Sequence, residues 1–404
     1  MSIFKPGELK LLWNFYLYLV FWTFSLMIQP YIFIYFRDLG FSFTQIASFT
    51  SAMMISLFIF EVPTGVVADL FGRKKSVFIG LIISGVSPIL ISLTDSYAVI
   101  LFCYILIGLG ITFISGAEDA LIVDNLKSHN RNDLIKEYYV KMSSFMGLGT
   151  VTAFLLGSYI VKLFGIKPLW IIWGGGYLLS AGLLMFIREY GFKPVNKHKT
   201  YVESVFYPIK MSLNFIKSNR VFLNYLVGST MVTIMVIQHD LWNVLLTDNG
   251  ISNSQISLIA AITSFVIIFV PWYSKKVQSI RKALIITTSI RVALLMASVF
   301  IDSNTVLYGV CLFIVLGSLS SFESPLTSTY VQHQVSSENR ATIGSVLSMI
   351  YSLTGAMAGM GIGIISDLIG IQYSIGMFSI FGLFAIYYYW NMSSNISSEL
   401  SIQD

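Results

Sequence analysis

Twelve runs of mainly apolar residues follow one another along this 404-residue chain. They cover 11–35, 44–68, 75–94, 97–124, 138–163, 167–188, 221–246, 254–273, 282–301, 304–331, 340–366 and 371–391. A helix needs about 20 such residues, at 1.5 Å each, to cross a bilayer. The pattern therefore predicts twelve spanning helices. The longest polar interruption, Arg188–Arg220, follows the sixth run and is rich in lysine. It divides the chain into a six-helix bundle at 1–190, a linker at 191–220, a second six-helix bundle at 221–392 and a tail at 393–404. The fold class expected is all-α, a polytopic membrane protein of two pseudo-symmetric bundles.

Composition makes lipid the solvent. Hydrophobic residues make up 55% of the chain and charged residues 11%. A soluble domain carries about a quarter charged residues, so this chain cannot cover a water-facing surface. Aromatics reach 15%, which suits ring-rich helix ends at headgroup level. Cys103 and Cys311 both fall inside apolar runs, so no structural disulfide is expected. With four His they form no metal-ligand pattern, and no cofactor is expected. The first apolar run is too long for a cleavable signal and lacks a small-residue cleavage site.

Charge orients the layout. With the N terminus cytoplasmic, one face collects Lys5, Lys10, Arg73–Lys75, Lys127, Arg131, Lys136, Lys141, the linker cations, Lys275, Lys276, Arg281, Lys282 and Arg340. The other face receives only Arg37, Lys162 and Lys167 of the 25 Lys and Arg. Arg291 falls within a span. This bias places both termini in the cytoplasm of a bacterial cell, at its inner membrane. An odd helix count would spoil the alternation.

An internal repeat supports two halves. Asp38-Leu-Gly40-Phe-Ser42-Phe-Thr44-Gln45-Ile46 returns as Asp248-Asn-Gly250-Ile-Ser252-Asn-Ser254-Gln255-Ile256, 210 residues on. Arg73-Lys74 returns as Arg281-Lys282, and Cys103 as Cys311, both at an offset of 208.

Between the second and third runs stands Gly65-Val-Val-Ala-Asp69-Leu-Phe-Gly72-Arg73-Lys74-Lys75. It resembles the signature loop of the major facilitator superfamily, Gly-x-x-x-Asp-x-x-Gly-Arg-Arg/Lys. The second-half counterpart, Tyr273–Lys282, keeps only the basic residues. The loop has its own physics. Gly65 allows a helix to approach, and Gly72 permits a tight turn. Asp69 needs a donor or a helix N terminus, for which the eleventh helix near Arg340 is the candidate. Arg73 needs an acid, and Asp124 lies at the right depth. The resemblance implies that Asp69, Arg73, Lys74 and Asp124 gate transport rather than touch solute. A purely structural clamp is the other reading.

Glu61-Val-Pro63-Thr64-Gly65 and Ser115-Gly116-Ala-Glu118-Asp119-Ala-Leu121 resemble runs in the drug and antibiotic efflux branch of that superfamily. Within it, length and the opening Met1-Ser-Ile-Phe-Lys-Pro-Gly-Glu-Leu-Lys resemble exporters of the microcin C type, which expel a peptide-nucleotide antibiotic.

Ionisable groups inside a span are costly and face a cavity or a partner. Glu61, Glu118 and Glu323 each fall about 10 Å from a helix end at 1.5 Å per residue. His239 and Asp240 sit in the seventh run, and Arg291 mid-way along the ninth. One reading is a cavity lined by Glu61, Glu118, Asp240 and Glu323. By resemblance, the first, fourth, seventh and tenth helices line the path. A carboxyl with little water around it binds protons more readily than one in bulk water. Proton and solute competing for one carboxylate is the simplest antiport, and acids favour a cationic solute. The alternatives are local. Glu323 can pair with Arg291, Glu61 can pin the loop, and His239 can be a proton carrier or a hydrogen-bonded spacer. Glu118 and Asp119 stand about 100° apart on a helix, so both cannot face one cavity.

Two features depart from the efflux pattern. No Arg lies in 97–124, and the fifth run has Gly147, Gly149 and Gly157 but no Gly-Pro pair. No nucleotide-binding loop is present, which argues against ATP-driven transport and against an enzyme. The function expected is a proton-coupled exporter of an antibiotic, toxic peptide or drug-like solute. A nutrient importer for sugar or nucleoside is the first alternative, and a membrane immunity or receptor protein the second. The partners expected are a small-molecule or peptide-like solute, a proton and the lipid bilayer, with no nucleic acid. The chain is expected to act as a monomer.

Overall fold

The computed structural model describes residues 4–190, 210–212, 214–237, 239–335 and 340–392, without the side chains of 340–342. Twelve of its helices are long and apolar enough to cross a membrane: α1 Glu8–Asp38, α2 Phe43–Phe71, α3 Arg73–Ser92, α4 Tyr97–Ser128, α5 Asp133–Phe164, α6 Pro168–Met185, α7 Arg220–Asp248, α8 Asn253–Ser274, α9 Ile280–Phe300, α10 Val306–Gln334, α11 Ile343–Ile369 and α12 Ile371–Trp390. All twelve expected runs are helices, and no strand occurs among the described residues. The part of the expected linker at 191–209 lies outside the described residues. Its end does not read as open chain, because 210–212 and 214–218 are helical. Ile216 there is buried in the core that Phe222 and Tyr225 share.

Several helices break where the apolar pattern runs on. In α1 the stretch Phe24–Tyr31 tightens to a 3₁₀ helix containing Pro30, which has no N–H to donate. In α4 the helix stops at Ile114 and restarts at Ala117, because Gly116 takes φ +69°. In α7 it stops at Val236 and restarts at His239.

The chain forms two compact units. The first draws on Met1–Leu39, Ala52–Lys197 and Asn253–Ala261, and the second on Gly40–Ser51, His198–Ser252 and Ile262–Asp404. They differ from the expected bundles at 1–190 and 221–392 in two exchanged helix starts. Local contacts explain the exchange. In the second unit, the Asp367 carboxylate of α11 accepts the N–H groups of Phe43 and Thr44, at 2.8 Å each. It thereby satisfies two of the orphan donors at the start of α2. The Ser51 hydroxyl donates to the Ala356 carbonyl at 2.8 Å. In the first unit, Ser158 and Ser257 tie α5 to the start of α8 through the carbonyls of Ser254 and Phe154, at 2.7 and 2.8 Å.

Small residues set the helix crossings. On α3, a Cβ at Gly80 would lie 2.5 Å from the Gly110 carbonyl of α4, and one at Gly85 would lie 2.9 Å from Leu178 of α6. Backbones this close leave no room for side chains, the packing expected where lipid supplies no hydrophobic drive between helices. Two glycines of α5 also allow close approach. A Cβ at Gly149 would press on the Thr23 side chain of α1, and one at Gly157 would approach the Met27 carbonyl. Large apolar side chains stand outward, as at Phe300, which is 79% exposed, and Leu368, 76% exposed. Cys103 and Cys311 are both free.

One connection outside the spans is held by a carboxylate. Asp302 accepts the Thr305 hydroxyl and the N–H groups of Asn304 and Thr305, all at 2.9 Å. The Thr305 hydroxyl bond, then the backbone ones, hold its carboxyl below the usual carboxylate range. This turn is therefore intact at neutral pH and is lost only as pH falls through that lowered value.

Candidate functional site

In the first unit, α1 presents Tyr18, Leu19 and Trp22 to one cavity, the i and i+4 positions falling on one helix face. Its other walls are Ile111, Ile114, Ser115 and Glu118 of α4, Met142 and Met146 of α5, and Tyr177 of α6. The volume is about 240 Å³. The α4 break shapes this site. Restarting at Ala117 puts Glu118 in a first helical turn, where unpaired backbone N–H groups favour a negative charge. The Tyr18 hydroxyl donates to Glu118 Oε2 at 3.2 Å. Asp119 turns away, is exposed, and accepts the Tyr139 hydroxyl at 3.2 Å. Of the two adjacent acids, only Glu118 lines the cavity. Its surroundings include two tyrosines, a tryptophan and two thioethers. They offer π faces and polarisable sulfur around one acid.

Glu61 lies ten residues before the end of α2, because that helix runs to Phe71 rather than stopping near 68. That places it about 15 Å from the helix end at 1.5 Å per residue, deeper than expected. It is half-buried, and its carboxylate has no partner among the described residues. Thr64, one turn on, ties α2 to α4 by donating to the Thr112 carbonyl at 3.1 Å.

The loop after α2 shrinks to Gly72 alone, with φ +105°. Arg73 then starts α3. Its guanidinium pairs with Asp124, as expected, and donates to the Ala120 carbonyl at 3.2 Å. Its backbone N–H donates to Glu189 Oε1 at 2.7 Å, so an acid beyond α6 caps α3. Lys74 donates to the Met185 carbonyl at 3.0 Å. Gly65 departs from expectation. It is exposed, and a Cβ there would meet nothing within 4 Å, so no helix among the described residues uses it for close approach. The partner expected for Asp69, the start of α11, falls at 336–342, where no side chain is described.

Replacing Gly72 with alanine is expected to lower stability by about 1–3 kcal/mol, the cost of an L-residue in such a conformation. The added Cβ would also lie 2.9 Å from Glu189 Oε2, but that flexible carboxylate can swing away. Thermal unfolding of Gly72→Ala with and without Glu189→Ala separates the two. The second change should restore little of the loss.

The second unit holds the other expected residues. His239 stacks on Phe313 of α10, ring centroids 4.8 Å apart and 17° from parallel. Asp240 follows it in the first turn after the α7 break, and both are exposed. Glu323 is engaged. Its carboxylate takes Arg291 Nη1 at 3.2 Å and Nη2 at 3.0 Å, with Ser320 Oγ 3.4 Å from Nη2. The paired reading of Glu323 is therefore the observed one. Of the expected cavity acids, Glu61 and Glu118 belong to the first unit, and Asp240 and Glu323 to the second.

A family model, the Major Facilitator Superfamily, matches residues 12–359. The chain belongs to the major facilitator superfamily. It is a multi-pass membrane protein and a transporter of small solutes. The chain is 26% identical over 178 residues to a multi-drug resistance efflux pump, PmrA, of Streptococcus pneumoniae, 43% of each chain. It is 23% identical over 175 residues to the quinolone resistance protein NorA of Staphylococcus aureus, 43% of this chain and 42% of that one. The match thus spans less than half the length of these relatives. The MFS-type transporter YxaM of Bacillus subtilis is 21% identical over 93% of this chain and 94% of its own. Among solved structures, the nucleoside transporter NupG superposes with a TM-score of 0.76 at 14% identity, covering 95% of this chain and 99% of its own. A POT family transporter in complex with 5-aminolevulinic acid superposes with a TM-score of 0.75 at 14% identity, over 98% of each. At such identity these show the fold alone.

Proposed function

We propose that this transporter is a proton-coupled exporter of amphipathic cationic solutes, antibiotic, toxic-peptide or drug-like, working by alternating access in a bacterial cell membrane with both termini cytoplasmic. The observation that carries the reading is Glu118, the one acid in the wall of a cavity otherwise built of aromatic, thioether and aliphatic groups and one serine. A cation with a flat apolar body satisfies both parts of that wall. A proton satisfies the carboxylate alone. Occupancy by one excludes the other, which couples solute movement to proton movement in opposite directions. Tyr18 keeps a donor on Glu118 and orients it, and Met142 and Met146 adapt to ring shape. The efflux names of PmrA and NorA support export, and the Arg73–Asp124 pair fits a loop that gates.

The test is transport by protein reconstituted into vesicles under an imposed pH gradient, with ethidium and a peptide-nucleotide antibiotic as probes. Wild type should accumulate a probe against its gradient and dissipate the pH gradient in step. Glu118→Gln should lower the coupled rate at least about tenfold, since a hydrogen bond to a charged group is worth about 1.5–3 kcal/mol. A wild-type rate in that variant rejects Glu118 as the coupling group. Proton-driven uptake of a nucleoside or sugar, with no movement of either probe, replaces export by import.

A further inference from the structure

Call the leading end the end at which α1 begins in the first unit and α7 begins in the second. Both leading ends are basic, and they handle that charge differently. In the first unit four cations have acids. Arg73 pairs with Asp124, Lys5 with Glu137, Lys141 with Glu8 and Arg131 with Asp133. In the second unit Arg220, Lys275, Lys276, Arg281 and Lys282 have no carboxylate partner among the described residues. The described acids of that unit, Asp240, Asp248, Asp302, Glu323 and Asp367, lie deeper in the helices or at the other end.

Two of these cations stand over aromatic rings instead. The Arg281 guanidinium lies 5.4 Å from the Trp390 centroid, and Lys276 Nζ 5.9 Å from that of Tyr273. Both rings face outward, Trp390 at 64% exposure and Tyr273 at 63%. Aromatics so placed at helix ends sit at headgroup level in a bilayer. Between the start of α7 and the end of α12 there is also a cavity of about 460 Å³, lined by Arg220, Val221, Asn224, Tyr387, Tyr388 and Asn391. Its wall is fixed, because Asn224 Nδ2 donates to the Asn391 carbonyl at 2.9 Å. The lining offers a guanidinium, two phenols and two amides, and no acid. A planar donor fork of this kind matches a phosphate.

We propose that this cavity binds the phosphodiester headgroup of an anionic phospholipid from the adjoining leaflet, with Arg220 as the main ligand. The unpaired cations are then neutralised by lipid, where the first unit uses carboxylates for four of its own. A phosphate with no cation of its own to balance it is the chemistry recognised. The choice of lipid over free phosphate rests on the exposed Trp390, the neighbour in the chain of the lining Asn391.

The full chain, released from detergent micelles containing either phosphatidylglycerol or phosphatidylcholine, is weighed by native mass spectrometry. Phosphatidylglycerol should remain bound and phosphatidylcholine should not. Arg220→Gln should weaken retention about fivefold, the usual worth of one basic residue at an anionic surface. Lys217→Gln, an exposed cation at the same end but outside the cavity, should change it less than twofold. Asn224→Asp adds a repelling acid to the wall, and should abolish retention even if Arg220→Gln proves too unstable to purify. Equal retention of the two lipids overturns the proposal. So does an equal effect of Lys217→Gln and Arg220→Gln, which leaves only diffuse surface charge. Displacement of the lipid by millimolar inorganic phosphate would make the ligand a free anion and overturn the lipid assignment.

Discussion

Replacing Glu323 with leucine is expected to destabilise the protein by about 3–5 kcal/mol, the cost of leaving a buried charge without its partner. Arg291 is 1% exposed, sits mid-way along α9, and meets Glu323 through both terminal nitrogens. A guanidinium cannot shed its proton to escape the apolar surroundings. A carboxyl can gain one and become neutral. The two single changes are therefore unequal. Arg291→Leu should cost less, about 1–3 kcal/mol for a polar group left short of partners. The double change Arg291→Leu/Glu323→Leu should return most of the stability, because well-packed apolar side chains often replace a buried ion pair at little cost. Thermal unfolding of the four proteins in one detergent reads the order directly: wild type near the double variant, then Arg291→Leu, then Glu323→Leu. Equal, small losses in both single variants would mean that water reaches the pair, and its burial would no longer count.

That pair was legible because few candidates compete. Arg291 is the one Lys or Arg in the interior of an apolar run of the second half, and Glu323 lies on the next helix in sequence. The spans were legible for a related reason. Lipid demands some 20 apolar residues whatever the neighbours are. The Arg73–Asp124 pair followed from depth in adjacent elements. What escaped was set by partners far along the chain or by single torsions. Glu189 caps α3 from 116 residues away, Tyr18 reaches Glu118 across 100, and Asp367 caps α2 across 324. Nothing distinguishes Tyr18 from the other 21 of the 22 tyrosines until α1 and α4 are packed. The α4 break was invisible to hydropathy, since Ser115-Gly116 sits within an apolar run. A glycine two residues before paired acids was the one local sign. The break matters, because it gives Glu118 a helix N terminus.

The repeat shows how far equal sequence spacing guarantees equal chemistry. Arg73-Lys74 and Arg281-Lys282 both open a helix after a short connection. In the first unit, Asp124 and Glu189 are at hand, so the arginine is locked to α4 and the α3 start is capped by a carboxylate. In the second, the Ser279 hydroxyl caps the helix through the Lys282 N–H at 3.4 Å, and Arg281 turns to a tryptophan ring. The same basic pair therefore forms an ion pair in one unit and none among the described residues of the other. The degraded second copy is thus a change of partner, from protein carboxylates to rings and, on our proposal, lipid phosphate.

The second large effect is expected at Glu8, which no motif marks. Its side chain is fully buried, and its carboxylate accepts Lys141 Nζ at 2.5 and 2.6 Å, the Tyr16 hydroxyl at 2.7 Å and the Lys5 N–H at 2.7 Å. The site joins the start of α1 to α5, and Lys141 also lies 5.0 Å from the Phe4 ring centroid. The preceding turn is held from the α4–α5 connection, where Arg131 donates to the Pro6 carbonyl at 3.1 Å. Removing Glu8 strands a lysine that is 13% exposed and a buried phenol. Glu8→Ala should therefore cost about 3–5 kcal/mol. Glu8→Gln keeps acceptors but no charge, and should cost about half as much. Glu137 bounds the alternative explanation. It lies 3.0 Å from Lys5 and 3.9 Å from Lys141, on the half-exposed side of the same cluster. Exposed pairs are worth about 0–1 kcal/mol, so Glu137→Ala should lower the unfolding temperature only slightly. Salt separates the two mechanisms. Raising ionic strength from 0.1 to 1 M shortens the screening length from about 10 to 3 Å, which weakens exposed pairs and hardly touches buried ones. The gap between wild type and Glu8→Ala should therefore survive high salt. A gap that closes there would show that the carboxylate acts through water, as a surface charge, and that α1 is held to α5 by its aromatic contacts alone.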